Sequence, residues 1–491
     1  MALTEASPLL PQRGAALVRG LKARHLIMMS VGGTIGTGLF VASGQTVAAA
    51  GPAGALVAYL IVGVMVYCVL TSLGEMATLM PVSGSFHEYA ALYVDPALGW
   101  TLGWNYWLQW AISLTSEVVA SGLILNYWFP SVPAWMLSAV VLAVLVFVNT
   151  RSVSSYGETE YWLSMIKVIA VLGFVVVGFH IDIFGSQQVP AVGLQNWKID
   201  GAPFKNGFGG VFSIISIAFF AFGGTELVGV SAGEVENPRK NVPIAINQTF
   251  WRILIFYVSS IGIIGLLIPN NDPSLSLSAS SGDVSIAPFT LILQRAGFTS
   301  AANVMNLVIL SAVVSTANSA MYAASRTLMA LSMRGQAPRI FGLVNHNGIP
   351  VYALGMTVAI GSIAFLGIAL GEGALFNWLL TITGTSGLLT WMSISVCHLR
   401  FRAAFKAQGK SRSTLPYLAP FYPYSDYAAI IMGLFILIGQ AVSALYSPSV
   451  DVSVLVSVFG GVPLFFGLLV GYKFLFGTTL VPLRDCNFDF I

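Results

Sequence analysis

The chain has 491 residues, 56% of them hydrophobic and only 8% charged, with a mean hydropathy of +0.82. Soluble domains carry about 25% charged residues, so a soluble globular chain is excluded and an integral membrane protein remains. The net charge of +3 identifies no partner until the charges are placed, and three cysteines, Cys68, Cys397 and Cys486, show neither a disulfide pattern nor metal-ligand spacing.

The polar leader, residues 1–25, precedes an apolar run too long for a secretory h-region, so no cleavable signal is expected. A span needs about 20 apolar residues. Such runs lie at 26–50, 53–80, 98–128, 133–149, 157–180, 208–233, 244–269, 301–331, 350–370, 375–399, 425–447 and 452–477, which predicts an all-α membrane protein of about twelve helices. The run 98–128 exceeds a straight crossing, so a tilt is expected.

The basic residues give the orientation. With the N-terminus in the cytoplasm, seventeen of the 22 fall on the inner side, among them Arg13, Arg19, Arg151, Arg239, Lys240, Arg326, Arg400 and Lys410. Lys198, Lys205 and Arg295 fall outside, and Arg252 lies near the inner end of span seven. The bias follows the positive-inside rule, so both tails, 1–25 and 481–491, are predicted to be cytoplasmic.

Two apolar spans carry nearly the same interruption: "GGTIGTG" at 32–38 in span one and "GGTELVG" at 223–229 in span six. Glycine inside a helix is unfavourable by about 1 kcal/mol relative to alanine. An interval of five spans reverses orientation, so the two stretches hold matching places in two inverted units, 26–190 and 207–399, with the last two helices at 425–480. Matched interruptions in inverted halves point to a transporter's binding site. Glycine pairs that merely let helices pack closely are the alternative.

A broken helix exposes amides on one side of the break and carbonyls on the other, and in a bilayer such groups must line a polar cavity. Amides suit a carboxylate and carbonyls an ammonium. A zwitterionic amino acid presents both. The expected carboxylate site is at Gly36, Thr37 and Gly38, and the expected ammonium site is at the carbonyls of Val31, Gly32 and Ala221 to Gly223.

Charges inside spans mark function by default. Glu226 follows the second break and is expected to face the cavity, as counter-ion or proton carrier. Lys167, in "SMIKVIA", is the basic residue deep within a span; it is a candidate proton-coupling group or a fixed charge in place of a sodium ion, with Ser315 and Thr316 as candidate neighbours. In span three, Tyr106, Trp110, Ser113 and Glu117 follow helical spacing and share a face. Tyr106 and Trp110 would wall the side-chain pocket, Glu117 would be a second titrating group or a cavity counter-ion, and Trp100, Trp104 and Trp107 read as interfacial belt residues. Phe220 is a candidate gate. Glu75 and Glu234, near the inner ends of spans two and six, read as structural ties or gating groups, and Glu158 and Glu160 as solvated residues at the mouth of span five. No P-loop, nucleophilic triad, paired catalytic carboxylates or metal motif appears, so neither an enzyme, a cofactor nor a metal is expected.

The motifs "LKARHL", "GGTIGTGLFVASG", "TSLGEMATLMPVSGSF", "LGWNYW", "GETEYWLSMIKV", "GGTELVGVSAGEVENPRKNVP" and "FWRILIFYV" place the chain near a known group. It resembles amino-acid permeases of the APC superfamily, and bacterial lysine-specific permeases in particular. The resemblance implies two inverted five-helix repeats with helices one and six broken, plus two C-terminal helices, in a bacterial inner membrane. It implies proton-coupled inward transport of an L-amino acid, L-lysine first, with Lys167 on the fifth helix at a place where relatives bind sodium. It implies that Glu226, Tyr106 and Trp110 line the side-chain pocket. An exchanger, a carrier of neutral amino acids and a lysine sensor acting through a membrane partner are the alternatives; nucleic acid is not an expected partner.

Overall fold

The computed structural model describes residues 23–82, 84–150, 153–275, 287–345, 348–445 and 452–488. Among these, ten helices are long and apolar enough to cross a membrane, and a shorter apolar helix, α6 (Ala134–Asn149), joins them. The first apolar segment is divided. Its pieces are α1 (Ala23–Thr34), the four-residue α2 (Thr37–Phe40) and the first turns of α3 (Ser43–Leu79), which bends at Gly51 and Pro52 into the second segment. Next come α4 (Phe86–Tyr93), α5 (Pro96–Leu125), α6 and α7 (Val153–Phe184). The sixth segment is divided too, into α8 (Gly207–Phe222) and α9 (Leu227–Val230). It is followed by α10 (Pro238–Leu267), α11 (Pro288–Arg295), α12 (Thr299–Met333), α13 (Val351–Gly361), α14 (Gly367–Leu370), α15 (Glu372–Ala407), α16 (Tyr424–Leu445) and α17 (Val452–Phe476).

Burial sorts these helices into an inner and an outer set. The apolar stretches of α5, of α8–α9 and of α15 are 78% buried, against 6% for the described part of α17. Both sets are strongly apolar, so the exposed Val176, Phe474 and Leu475 of the outer set present hydrocarbon outward, as a bilayer demands. The polar and charged side chains between helices are drawn inward instead.

The two breaks lie against each other at the centre. Helix geometry lapses at Ile35 and Gly36 in the first segment and at residues 223–226 in the sixth. Gly224 has φ +98°, and a Cβ there would sit 2.7 Å from the Gly33 carbonyl oxygen. A Cβ on Gly38 points at the Ala221 Cα, 2.5 Å away. Glycine is therefore required twice, once for a left-handed conformation and once for backbone-to-backbone approach. The glycine pairs do more than relax helix packing: they let two interrupted chains touch.

The Gly38–Ala221 approach predicts that Gly38→Val destabilises the fold by about 1–3 kcal/mol through overpacking, because the obstructing atoms are main chain. Gly460→Ala, inside α17 where a Cβ meets nothing within 4 Å, serves as the control and should not destabilise, raising stability by at most about 1 kcal/mol. Thermal unfolding in detergent measures both.

Candidate functional site

A small cavity opens where the breaks meet. Gly33, Thr34 and Gly38 line it from the first segment, and Phe219, Phe220, Gly223 and Gly224 from the sixth. Helix α5 adds Gln109, Trp110, Ser113 and Glu117, α12 adds Thr316, and α15 adds Thr383, Gly384, Gly387 and Trp391. Its volume is about 20 Å³, room for roughly one water molecule.

Of the residues singled out from the sequence, Gly38, Trp110, Ser113, Glu117, Phe220, Gly223 and Thr316 reach this cavity. Glu226 and Tyr106 stand behind its wall. Glu226 is fully buried and folds back on its own break: its carboxylate accepts from the Gly224 amide at 3.1 Å and from the Tyr106 hydroxyl at 3.3 Å. Tyr106 is fixed by edge-on contacts with Phe86 and Trp110. The Thr37 hydroxyl donates to Glu117 at 2.9 Å, and the Thr37 amide faces the same carboxylate.

The carbonyls of the breaks already have donors. The Lys167 ammonium, from α7, donates to the Gly32 carbonyl at 2.5 Å and lies 3.3 Å from the Thr316 hydroxyl. The Val31 carbonyl accepts from the Ile35 amide at 2.9 Å. The Tyr257 hydroxyl of α10 reaches the Ala221 carbonyl at 2.6 Å and the Thr34 carbonyl at 3.0 Å, one on each break. A substrate ammonium would therefore share these oxygens through their second lone pairs. Thr316 also packs against Gly36, where a Cβ would lie 2.6 Å from its hydroxyl oxygen.

Four buried polar atoms of residues on the cavity wall have no hydrogen-bond partner among the described residues: Gln109 Oε1, Trp110 Nε1, Glu117 Oε2 and Thr383 Oγ1. A buried polar atom without a partner costs about 1–3 kcal/mol, so these atoms suit a polar guest. Gln109 and Thr383, like Gly384, Gly387 and Trp391, were not singled out from the sequence. Their signal was slight: one amide in "YWLQW" and a run of small and hydroxyl residues in "TITGTSGLLTW", both ordinary within packed helices.

Two expectations need correction. Glu160 is fully buried, not solvated, because α7 begins at Val153 and places it two turns inside. Trp107 is buried and donates to the Thr357 hydroxyl at 3.3 Å, so it is not an interfacial belt residue. Trp100 and Trp104 both donate to the Gln336 carbonyl at 3.1 Å.

Glu75 is not part of the cavity lining; it sits in a buried ionic cluster. Arg402 grips it with contacts of 2.5 and 2.9 Å, and the Ala419 amide donates to it at 2.6 Å. His398 bridges Glu75 and Asp426, at 3.4 and 2.8 Å. Glu234 closes the short turn Ser231–Glu234, and its side chain lies outside the described residues, as does that of Glu158.

An all-helical, membrane-crossing chain whose two broken helices enclose a polar cavity has the build of a solute transporter. The amino acid permease family model matches residues 25–481, so the chain belongs to that family, within the APC superfamily. It is 46% identical to the lysine-specific permease LysP of Escherichia coli over 474 residues, 96% of each chain. It is 44% identical to LysP of Lactococcus lactis, over 96% of this chain and 92% of that one. The histidine permease HisP of the same Lactococcus is also 44% identical, over 96% of this chain and 97% of that one. The protein is thus a multi-pass membrane permease of amino acids.

Because Tyr257, alone among the described residues, joins carbonyls of both breaks, Tyr257→Phe should cost about 1–3 kcal/mol of stability, the penalty for leaving a buried carbonyl unmet. Thermal unfolding compared with the wild type checks this, and an unchanged midpoint would show that the hydroxyl contributes nothing.

Proposed function

We propose that the protein imports a cationic L-amino acid, L-lysine first, together with protons, by alternating access. The observation that carries this reading is the meeting of two broken helices around a polar cavity, with a buried ammonium, Lys167, on the carbonyl of one of them. In this reading the chain crosses a bacterial inner membrane twelve times, as two inverted five-helix units plus α16 and α17, with both ends in the cytoplasm. The amides at Gly36, Thr37 and Gly38 hold the substrate carboxylate. Its amino group shares the carbonyls of the two breaks. The side chain extends toward Trp110, Gln109 and Thr383, with Glu226 behind as counter-charge.

Charge supports proton coupling. Around the breaks, among the described residues, Glu117, Glu160 and Glu226 are buried beside a single buried ammonium, Lys167. Leaving carboxylates charged and unpaired in a low-dielectric interior is costly. Protons resolve the imbalance, and the same protons can be carried with substrate. Size supports alternating access: a cavity of about 20 Å³ cannot hold an amino acid, so the walls must part to admit one.

The named relatives support lysine, and the equally similar histidine permease makes histidine the second reading. Uptake of radiolabelled L-lysine into proteoliposomes, with the membrane voltage clamped and the common amino acids as competitors, decides between them. One proton per lysine predicts about tenfold accumulation for each pH unit, acid outside. Unlabelled lysine should be the strongest competitor. Uptake indifferent to the gradient, or displaced best by histidine, would remove the corresponding half of the reading. Lys167→Ala should abolish gradient-driven accumulation, and Glu226→Gln should reduce the preference for cationic over neutral amino acids at least tenfold in the same assay.

A further inference from the structure

Glu160 is a buried acid that the cavity does not use. It precedes Lys167 by seven residues on α7, two helical turns, so the two share a face. Helical side chains lean toward the N-terminus, which brings the Lys167 ammonium back toward the acid. Gly32 stands between them. Its carbonyl holds Lys167 at 2.5 Å. On its other side, a Cβ would meet Glu160 Oε1 at 2.5 Å and the Ser164 hydroxyl at 2.2 Å. Acid and ammonium therefore converge on two sides of one residue that has no side chain to separate them.

Polar groups continue in both directions. The Ser315 hydroxyl bonds Glu160, and the next residue, Thr316, touches Lys167. Asn318 and Ser319 of α12 face the same carboxylate. Asn318 in turn accepts from Asn149 at 2.7 Å; Asn149 is half-buried and ends α6 beside the exposed Thr150. Toward the cavity, Lys167 holds the Gly32 carbonyl, and five residues further along the same stretch of main chain the Thr37 hydroxyl donates to Glu117. Both Glu160 and Glu117 lie within Coulombic reach of Lys167. Among the described residues near Glu160, Ser164 donates to the Met28 carbonyl of α1, and the cationic Arg24 of α1 lies over the Tyr161 ring.

We infer that Glu160 is the proton acceptor for Lys167 on the side away from the substrate, the group through which the co-transported proton leaves. This rests on the proton-coupled reading above. In the step, an N–H bond of the Lys167 ammonium breaks and an O–H bond forms on Glu160, leaving a neutral amine and a neutral acid. Glu160 then gives the proton to water at the Asn149 end and becomes a carboxylate again. The amine recovers a proton from the cavity side, where Glu117 lies. Moving the proton between the two groups keeps their total charge constant, so no uncompensated charge is created in the interior.

The test uses the full chain in proteoliposomes, with two measurements of radiolabelled L-lysine: accumulation driven by a pH gradient, and counterflow at equal pH, which needs no net proton movement. Glu160→Gln should lose at least tenfold in gradient-driven accumulation and keep counterflow within about twofold. Glu160→Asp, which keeps the carboxyl, should recover most of the accumulation with a displaced pH profile. A Gln variant that accumulates lysine with the wild-type pH profile overturns the inference. So does an equal loss of both activities in the Gln and Asp variants, which marks a structural role. If the Gln variant does not reach the membrane, Ser315→Ala takes its place, and an unchanged pH profile there overturns the inference. Wild-type accumulation that ignores the gradient removes the proton-coupled reading, and this inference with it; a responsive wild type beside a responsive Gln variant removes this inference alone.

Discussion

The contact on which the rest depends is the Lys167 ammonium on the Gly32 carbonyl. A helix that stops in mid-membrane leaves carbonyls without partners, and hydrocarbon offers none. The end of such a helix also carries the negative end of its dipole, which favours a cation. A single lysine from α7 answers both demands and draws α1, α7 and α12 together, since Thr316 meets the same ammonium. Tyr257 does a parallel service from α10 by reaching one carbonyl on each break. The breaks persist because neighbouring helices supply the donors that a continuous helix would have supplied to itself.

That arrangement links the binding site to the buried charges. The oxygens suited to a substrate ammonium are the same ones that Lys167 and Tyr257 already engage, so filling the cavity bears directly on the lysine. Thr37, one residue beyond the first break, bonds Glu117, which lies on the cavity wall. In the proposed reading, substrate, lysine and acid act on one short piece of main chain, Gly32 to Gly38. The proposed coupling needs no long pathway. It needs only that seven residues of backbone hold one geometry when the site is filled and another when it is not.

Much of this was legible in the sequence, and the reasons are physical. Long apolar runs are visible because the bilayer sets their length. The repeated glycine tract was visible because glycine inside an apolar helix is costly and coincides twice. Lys167 stood out because a lysine flanked by apolar residues on both sides has little chance of reaching water. What escaped notice depends on where helices begin and on which distant helices meet. Glu160 looked solvated because "GETE" is polar, yet α7 starts earlier at Val153 and carries it inside. Gln109 and Thr383 reach the cavity wall from α5 and α15, far apart in the chain, and nothing in either segment announces the meeting. The donors to the break carbonyls were missed for the same reason: Lys167 and Tyr257 are distant in sequence from the groups they satisfy.

The most direct measurement is a structure of the protein in lipid nanodiscs with L-lysine bound. The account predicts density for the amino acid between the two breaks, its carboxylate at the amides of residues 36–38 and its amino group at the carbonyls around Gly32 and Ala221. Lysine bound elsewhere, or both glycine tracts running as continuous helix with no space between them, would contradict it.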